Sequence, residues 1–132
     1  MYERKQQTLR ISMDFKKHRL IIHKTTLGFL CIPKYVQILV DPINMQVAIR
    51  GIDNKLRDAH RVNLSVLQHD NSYELYSKSL FQQLCVLLPN MDFNYTYRMS
   101  GRIIESENIA LFSLKSLKKV ESLEENREYE AI

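Results

Sequence analysis

The sequence predicts an α+β protein that is mostly β, in which two pseudo-symmetric β-α-β-β units intertwine around one core, with a C-terminal helix or tail. The first observation is a repeat: Lys24-Thr25 with Leu30-Cys31-Ile32 recurs 54 residues later as Lys78-Ser79 with Leu84-Cys85-Val86. The second is that an apolar strand pattern precedes each copy, and a proline and a candidate hairpin follow it. A unit of about 35 residues is too small to bury a core alone, so we expect the two units to pack about a pseudo-twofold axis.

The length of 132 residues, of which 45% are hydrophobic, fits a single domain covering residues 1–132. Repeat unit one covers about residues 9–51, and a polar connection covers residues 52–72. Repeat unit two covers about residues 73–114, and an acidic tail covers residues 115–132.

Unit one contains two predicted strands, a short helix and a hairpin. Residues 9–13 alternate apolar and polar, and residues 19–23 are rich in β-branched side chains, as is typical of strands. Thr25 suits the N-cap of a helix that runs to about Ile32, because Pro33 disfavours helical backbone in the residue before it. Period-two alternation over residues 35–50, interrupted by a turn at 41–44, predicts the hairpin.

Unit two repeats this order less clearly. A strand is predicted over residues 73–77, a helix over 79–88, and a hairpin around a polar turn at 105–108. Within the connection, Val62 and the apolar residues at 64, 66 and 67 could supply one extra strand. Apolar residues at 114, 117, 120 and 123 suggest a short amphipathic helix before the acidic end.

Charge is distributed unevenly along the chain, although the net charge is +4. Residues 1–24 hold seven basic and two acidic residues, a net charge of +5, whereas residues 121–132 hold one basic and five acidic residues, a net charge of −4. An anionic polymer would therefore dock most favourably near the N-terminal end. The alternative is that these are ordinary solubilising charges.

The candidate nucleic-acid-binding residues lie on the first two predicted strands and on the turn between them, where their side chains could converge. They are Arg10, Lys16, Lys17, Arg19 and Lys24. Arginine can contact phosphate or guanine with two hydrogen bonds, and lysine adds a less directional charge. Tyr73, Tyr76, Tyr95 and Tyr97 suggest a minor variant, a stacking platform for single-stranded nucleic acid, although aromatic side chains on a sheet more often pack in the core.

Unit one resembles the swapped-hairpin module of AbrB-like and MraZ-like proteins. The resemblance rests on residues 19–24, the short helix ending in Leu30-Cys31-Ile32, and the hairpin at residues 35–50. It covers about 33 residues of unit one and only the outline of residues 73–114. It implies that two modules interlock their hairpins into one barrel-like body, whose basic strands and loops contact DNA on one face.

The sequence departs from the family pattern at three places. His23 stands where the family usually has proline, Lys17-His18 replaces a glycine-containing turn, and Pro33-Lys34 replaces the usual glycine-aspartate pair. Unit two also lacks the basic entry strand, so one chain would present one basic face. A homodimer would present two equal faces.

Catalytic and metal-binding signatures are missing from the sequence. The four histidines and the single cysteines Cys31 and Cys85 match neither the CxxC nor the HExxH spacing of a zinc site. Both cysteines lie in apolar segments, which favours packing in the core over a symmetric disulfide. We therefore expect no enzyme, metal or cofactor.

The predicted function is DNA binding in a transcription-regulatory role, with double-stranded DNA as the partner. The alternative is a non-enzymatic protein-interaction or assembly module that uses the hairpins and the acidic C-terminal segment to bind a protein partner. Because residues 1–17 lack the apolar segment of a signal peptide and no apolar run reaches about 18 residues, we expect a cytoplasmic protein with no membrane segment.

Overall fold

A computed structural model describes residues 9–63 and 71–120, and these ranges form nine strands, two α-helices and two 3-10 turns. In chain order, the elements are β1 (Leu9–Asp14), β2 (Arg19–His23), α1 (Lys24–Phe29), β3 (Tyr35–Asp41), β4 (Gln46–Ile52), β5 (Ala59–Arg61), β6 (Ser72–Tyr76), α2 (Lys78–Leu87), β7 (Thr96–Ile104), a 3-10 turn (Glu105–Glu107), β8 (Ile109–Ser113), a second 3-10 turn (Leu114–Ser116) and β9 (Lys118–Lys119). The predicted class, α+β and mostly β, is confirmed.

The strands form one antiparallel sheet that nearly closes on itself. Its order is β5-β3-β4-β8-β7-β1-β2-β6, and β9 adds to β7 outside this path. The two edge strands approach each other, because the hydroxyl of Tyr73 on β6 donates a 2.8 Å hydrogen bond to the carbonyl oxygen of Arg61 on β5. Beside this bond, a cleft of about 380 Å³ lies between β5 and the start of α2.

The core lies inside the curved sheet and is built from alternate residues of the strands. Ile11, Ile22, Met99 and Phe112 are completely buried, whereas their neighbours along the strands point outward. Burying each such side chain contributes about 1.5–3 kcal/mol to folding. One sheet thus has an apolar inner face and a largely polar outer face.

The helices start at opposite ends of the sheet, because β2 leads into α1 and the antiparallel β6 leads into α2. Ser77 caps α2 by accepting a hydrogen bond from the Leu80 backbone at 3.2 Å. The prediction of Thr25 as N-cap of α1 is wrong. His23 holds that position and makes no side-chain capping bond.

The first hairpin has the predicted turn. The Asp41 carboxylate accepts backbone hydrogen bonds from Ile43 at 3.0 Å and Asn44 at 3.2 Å, which fold the chain back on itself. In the connection, the strand is β5 at residues 59–61, so the extra strand predicted from Val62 onward does not begin there; Val62 is buried and follows β5. The apolar residues at 64, 66 and 67 lie outside the described residues.

Two further expectations are wrong. Residues 114–120 form a 3-10 turn followed by β9, not a helix, and the Val120 backbone donates to Thr96 at 2.9 Å. The apolar spacing of three residues reflects core packing instead of a helix, because Leu114 is buried in the core and Leu117 lies against it. Residue 123 lies outside the described ranges. Cys31 is exposed, not in the core, because it follows the end of α1 with a φ of 61°.

Candidate nucleic-acid interface

Basic side chains, all exposed except the half-buried His23, gather on the outer surface of four adjacent strands, β9, β7, β1 and β2. We call this surface the cationic face, and its members are Arg10, His23, Arg98, Arg102 and Lys118. Strand alternation positions them, because the neighbours Leu9, Ile11, Tyr97 and Met99 point into the core. The core packing therefore holds the cations on the opposite side of the sheet.

Register brings charges of the cationic face together across two strand pairs. Arg10 on β1 lies opposite Ser100 on β7, and Arg98 on β7 lies opposite Ser12 on β1. On the other side of β7, Lys118 of β9 lies opposite Arg98. Since adjacent strands are about 4.8 Å apart, these charges share one local field.

The electrostatics of His23 report this field. Burial lowers the pKa of the His23 imidazole, and the positive charges of Arg98 and Arg10 lower it further. Two guanidinium groups from two strands therefore act on one imidazole. A bound anion would relieve this repulsion.

Carboxylates do not neutralise the cationic face within residues 9–63 and 71–120. The ion pairs found in these ranges join Arg19 to Asp14 at 3.0 Å and to Glu74 at 2.9 Å. Arg19 also lies on the outer surface, but both partners occupy its guanidinium. Although burial opposes the charged form, Glu74 and Asp14 raise the Arg19 pKa overall. We therefore place Arg19 outside the cationic face.

The structure separates the other predicted residues into two groups. Arg10 lies on the cationic face, and Lys24 is exposed at the start of α1, directly after His23. Lys16 and Lys17 are exposed in the β1–β2 turn, at the other end of these strands, where the Lys17 backbone donates to Asp14 at 3.2 Å. The five predicted residues thus do not form one cluster.

Sequence reasoning missed Arg98, Arg102 and Lys118. Their alternation with apolar residues in the second hairpin was the available signal, because it assigns Arg98 and Arg102 to the side opposite Tyr97 and Met99. Nothing local to residue 98 indicates that β7 pairs with β1.

The tyrosine platform does not form. Tyr97 is buried in the core, where its ring contacts Phe15 edge-to-face at 5.8 Å. Tyr95 is exposed, but its ring is covered by the Lys119 ammonium at 3.4 Å from the centroid. The hydroxyls of Tyr73 and Tyr76 donate to the Arg61 carbonyl at 2.8 Å and to the Glu74 carboxylate at 3.4 Å, so each of the four tyrosines has another partner.

Other chemistry finds little support in the described ranges. No group of three or more histidine, cysteine or carboxylate side chains there could hold a metal ion. Burial raises the pKa of the Cys85 thiol, which disfavours a reactive thiolate.

Neither described helix is long and apolar enough to cross a membrane. No family model, no curated protein and no solved structure matches this chain.

Proposed function

We propose that this chain binds double-stranded DNA through the cationic face, in a transcription-regulatory role. The observation that carries this proposal is the strand register, which places Arg10, Arg98 and Lys118 on one outer surface with no carboxylate ion-pair partner among the described residues. The regulatory role rests on the resemblance of unit one to the swapped-hairpin family.

Phosphate contact is the chemistry that such a face supports. Guanidinium and ammonium groups that neutralise phosphates release counterions from DNA, and this release supplies much of the affinity. Because the strands are held by a packed core, the backbone that carries these cations is already ordered before binding, and the remaining cost is that of ordering the side chains.

We also propose the two-unit architecture, with β5 as the counterpart of β1, and the strand pairings support it. In this arrangement, strands β1 to β4 correspond in order to strands β5 to β8. The β1–β7 pair then corresponds to the β5–β3 pair, and the β3–β4 hairpin corresponds to the β7–β8 hairpin. The β2–β6 and β4–β8 pairs each join equivalent strands. The β1–β2 and β7–β9 pairs lack a described counterpart. The cleft lies where the counterpart of β1–β2 would be, between β5 and the β6–α2 junction.

The backbone of the two hairpins supports the same proposal. Met45 and Asn108 both have a φ of 53° and stand 63 residues apart. The Gly51 backbone donates to Asn108 at 3.0 Å, and the Leu114 backbone donates to Met45 at 2.8 Å. Gly51 and Leu114 are also 63 residues apart, so each unit supplies one half of a reciprocal pair of bonds.

The binding proposal is tested with purified full-length protein and a fluorescent DNA duplex. Arg10→Ala/Arg98→Ala should weaken binding about tenfold or more at low salt, because two phosphate contacts are lost. The slope of log affinity against log salt should fall by about two. Anisotropy titrations at several salt concentrations measure both quantities.

The matched control is Lys34→Ala/Lys55→Ala, which removes the same charge next to β3 and β4, beyond β8 and β7 from Arg10. Its binding should resemble that of the original chain. Lys16→Ala/Lys17→Ala tests the turn lysines separately. Equal loss in all three variants would show that only net charge matters and would contradict a defined face.

A second candidate function, protein interaction, is favoured by an apolar row on the outer surface. Leu39, Ala48 and Leu111 lie in register across β3, β4 and β8, and Leu39 is 40% exposed. A second copy of the chain is the proposed partner, because a homodimer would present two cationic faces. Sedimentation equilibrium tests this candidate: Leu39→Lys should lower the dimer fraction, and a monomer at all concentrations contradicts it.

A further inference from the structure

We propose that the acidic segment 121–132 of the same chain binds the cationic face when DNA is absent and competes with DNA for it. The competition rests on the proposed function, whereas the contact itself does not. Residues 121–132 lie outside the described ranges, so the proposal starts from their sequence and from the place where the described chain ends.

The described chain delivers this segment to the edge of the cationic face. β9 pairs with β7, with Lys118 opposite Arg98, and the Val120 backbone donates to Thr96 at 2.9 Å. The described chain therefore ends at Val120, one strand away from β1, the strand that carries Arg10.

Charge complementarity favours the contact. The segment carries five glutamates and one arginine, a net charge of −4. The face carries four arginine and lysine side chains, and no carboxylate in residues 9–63 and 71–120 forms an ion pair with them. Each exposed pair is worth little alone, but several pairs over one face add up.

Geometry allows the contact, because the segment is long enough to cross the face. Twelve residues can extend to about 40 Å, whereas β7, β1 and β2 are spaced about 4.8 Å apart. A short connection also gives the segment a high effective concentration, in the millimolar range for flexible linkers. DNA must displace the segment before it can bind.

The direction of the chain adds a detail. β9 runs antiparallel to β7, so the segment begins at the Thr96 end of β7. Asp14 lies opposite Thr96, and the β1–β2 turn with Lys16 and Lys17 follows Asp14. The turn lysines, although separate from the cationic face, are thus placed to bind the first glutamates.

The experiment compares two full-length variants that each lose three negative charges. The test variant is Glu124→Gln/Glu125→Gln/Glu128→Gln, and the control is Asp53→Asn/Asp58→Asn/Glu107→Gln, whose positions are exposed. Without DNA, amide NMR signals of Arg10, His23 and Arg98 should move in the test variant only. Added salt should move the signals of the original chain in the same direction.

The DNA arm uses the same proteins and a fluorescent duplex. The test variant should bind at least threefold more tightly than the control at low salt, and the difference should shrink as salt screens the contact. Unchanged NMR signals with equal affinities would overturn the inference and leave the proposed function standing. Signals that move in proteins that bind no duplex would overturn the proposed function and leave the contact standing.

Varying the protein concentration distinguishes a segment that binds its own chain from one that binds a second copy. An intramolecular contact gives NMR signals that do not depend on concentration. Signals that change with concentration would show that the segment binds a second copy, which would overturn the intramolecular proposal.

Discussion

At the scale of single residues, Asn108 links three parts of the fold. It adopts a left-handed conformation with a φ of 53°, which asparagine tolerates better than most residues. Its side-chain amide donates to the carbonyl oxygens of Leu30 and Gly51, each at 3.2 Å. The residue thus joins the end of α1, strand β4 and the 3-10 turn before β8.

Replacing Asn108 tests this link. Asn108→Gly keeps the left-handed backbone but removes both side-chain bonds, and should lower the free energy of unfolding by about 1–3 kcal/mol. Asn108→Ala should cost about 1 kcal/mol more, because alanine disfavours this conformation. Urea denaturation followed by circular dichroism measures both. Asn54→Ala, at an exposed bend, is the control. If the Asn108 variants lose no more free energy of unfolding than Asn54→Ala, the link is contradicted.

His23 should make stability depend on pH. Burial first, and then Arg98 and Arg10, lower its pKa below the ordinary value of 6.5, so the unfolded chain takes up the proton more readily than the folded chain. The free energy of unfolding should therefore fall as pH drops below about 6.5, and level off below the folded pKa.

We expect His23→Gln to reduce this loss. Burial also lowers the pKa of His60, so His60→Gln should remove a further part of the pH dependence. Urea denaturation between about pH 7.5 and pH 5 measures each contribution. A pH profile of His23→Gln that matches the original chain would show that its imidazole carries no such effect.

At the scale of elements, contact between β7 and β8 depends on Gly101. A Cβ at this position would overlap the Leu111 carbonyl oxygen and the Phe112 ring. The two strands therefore approach more closely than any side chain at residue 101 would allow. Gly28, in α1, has nothing within 4 Å of the corresponding position.

The two glycines make a matched pair of substitutions. Gly101→Ala should lower the free energy of unfolding by about 1–3 kcal/mol or more, because the strands must separate. Gly28→Ala should raise it by up to about 1 kcal/mol, because alanine favours the helix. Thermal and urea denaturation measure the signs. Equal effects at both positions would contradict the close approach of β7 and β8.

The elements also show what local sequence can predict. The β-branched residues over 19–23 predict β2 with its observed bounds, and the predicted second helix begins within one position of the observed start at Lys78. The start of α1 is missed by two positions, because His23 and not Thr25 is its N-cap. The helix predicted from apolar residues three apart after Leu114 is wrong, because core packing of Leu114 and pairing of β9 with β7 determine the structure there.

At the scale of the whole molecule, the strands from the two halves of the chain are interleaved. β1 lies between β2 and β7, and β4 lies between β3 and β8, so each half completes the sheet of the other. Long-range strand pairs of this kind cannot form in one half alone.

Unfolding should therefore be a single cooperative transition. Circular dichroism reports the strands, and tyrosine fluorescence reports the core through Tyr97. The two urea denaturation curves should coincide. Separate transitions would indicate two independent halves and would contradict the interleaved arrangement.

The cationic face also belongs to this scale, which explains why sequence alone locates it only in part. Arg10 lies in the basic N-terminal region, but Arg98 joins it only through the pairing of β1 with β7. Arg19 shares the same basic region, yet Glu74 reaches it through the pairing of β2 with β6. Counting charges along the sequence predicts neither of these strand pairings.

The most direct test of the central proposal is an NMR titration of the labelled chain with duplex DNA. We predict that the largest amide shifts occur at Arg10, His23, Arg98 and Lys118, with small shifts along β3 and β4. The shifts should diminish as salt is added. Shifts centred on β3 and β4, or none at a duplex concentration in large excess, would contradict binding through the cationic face.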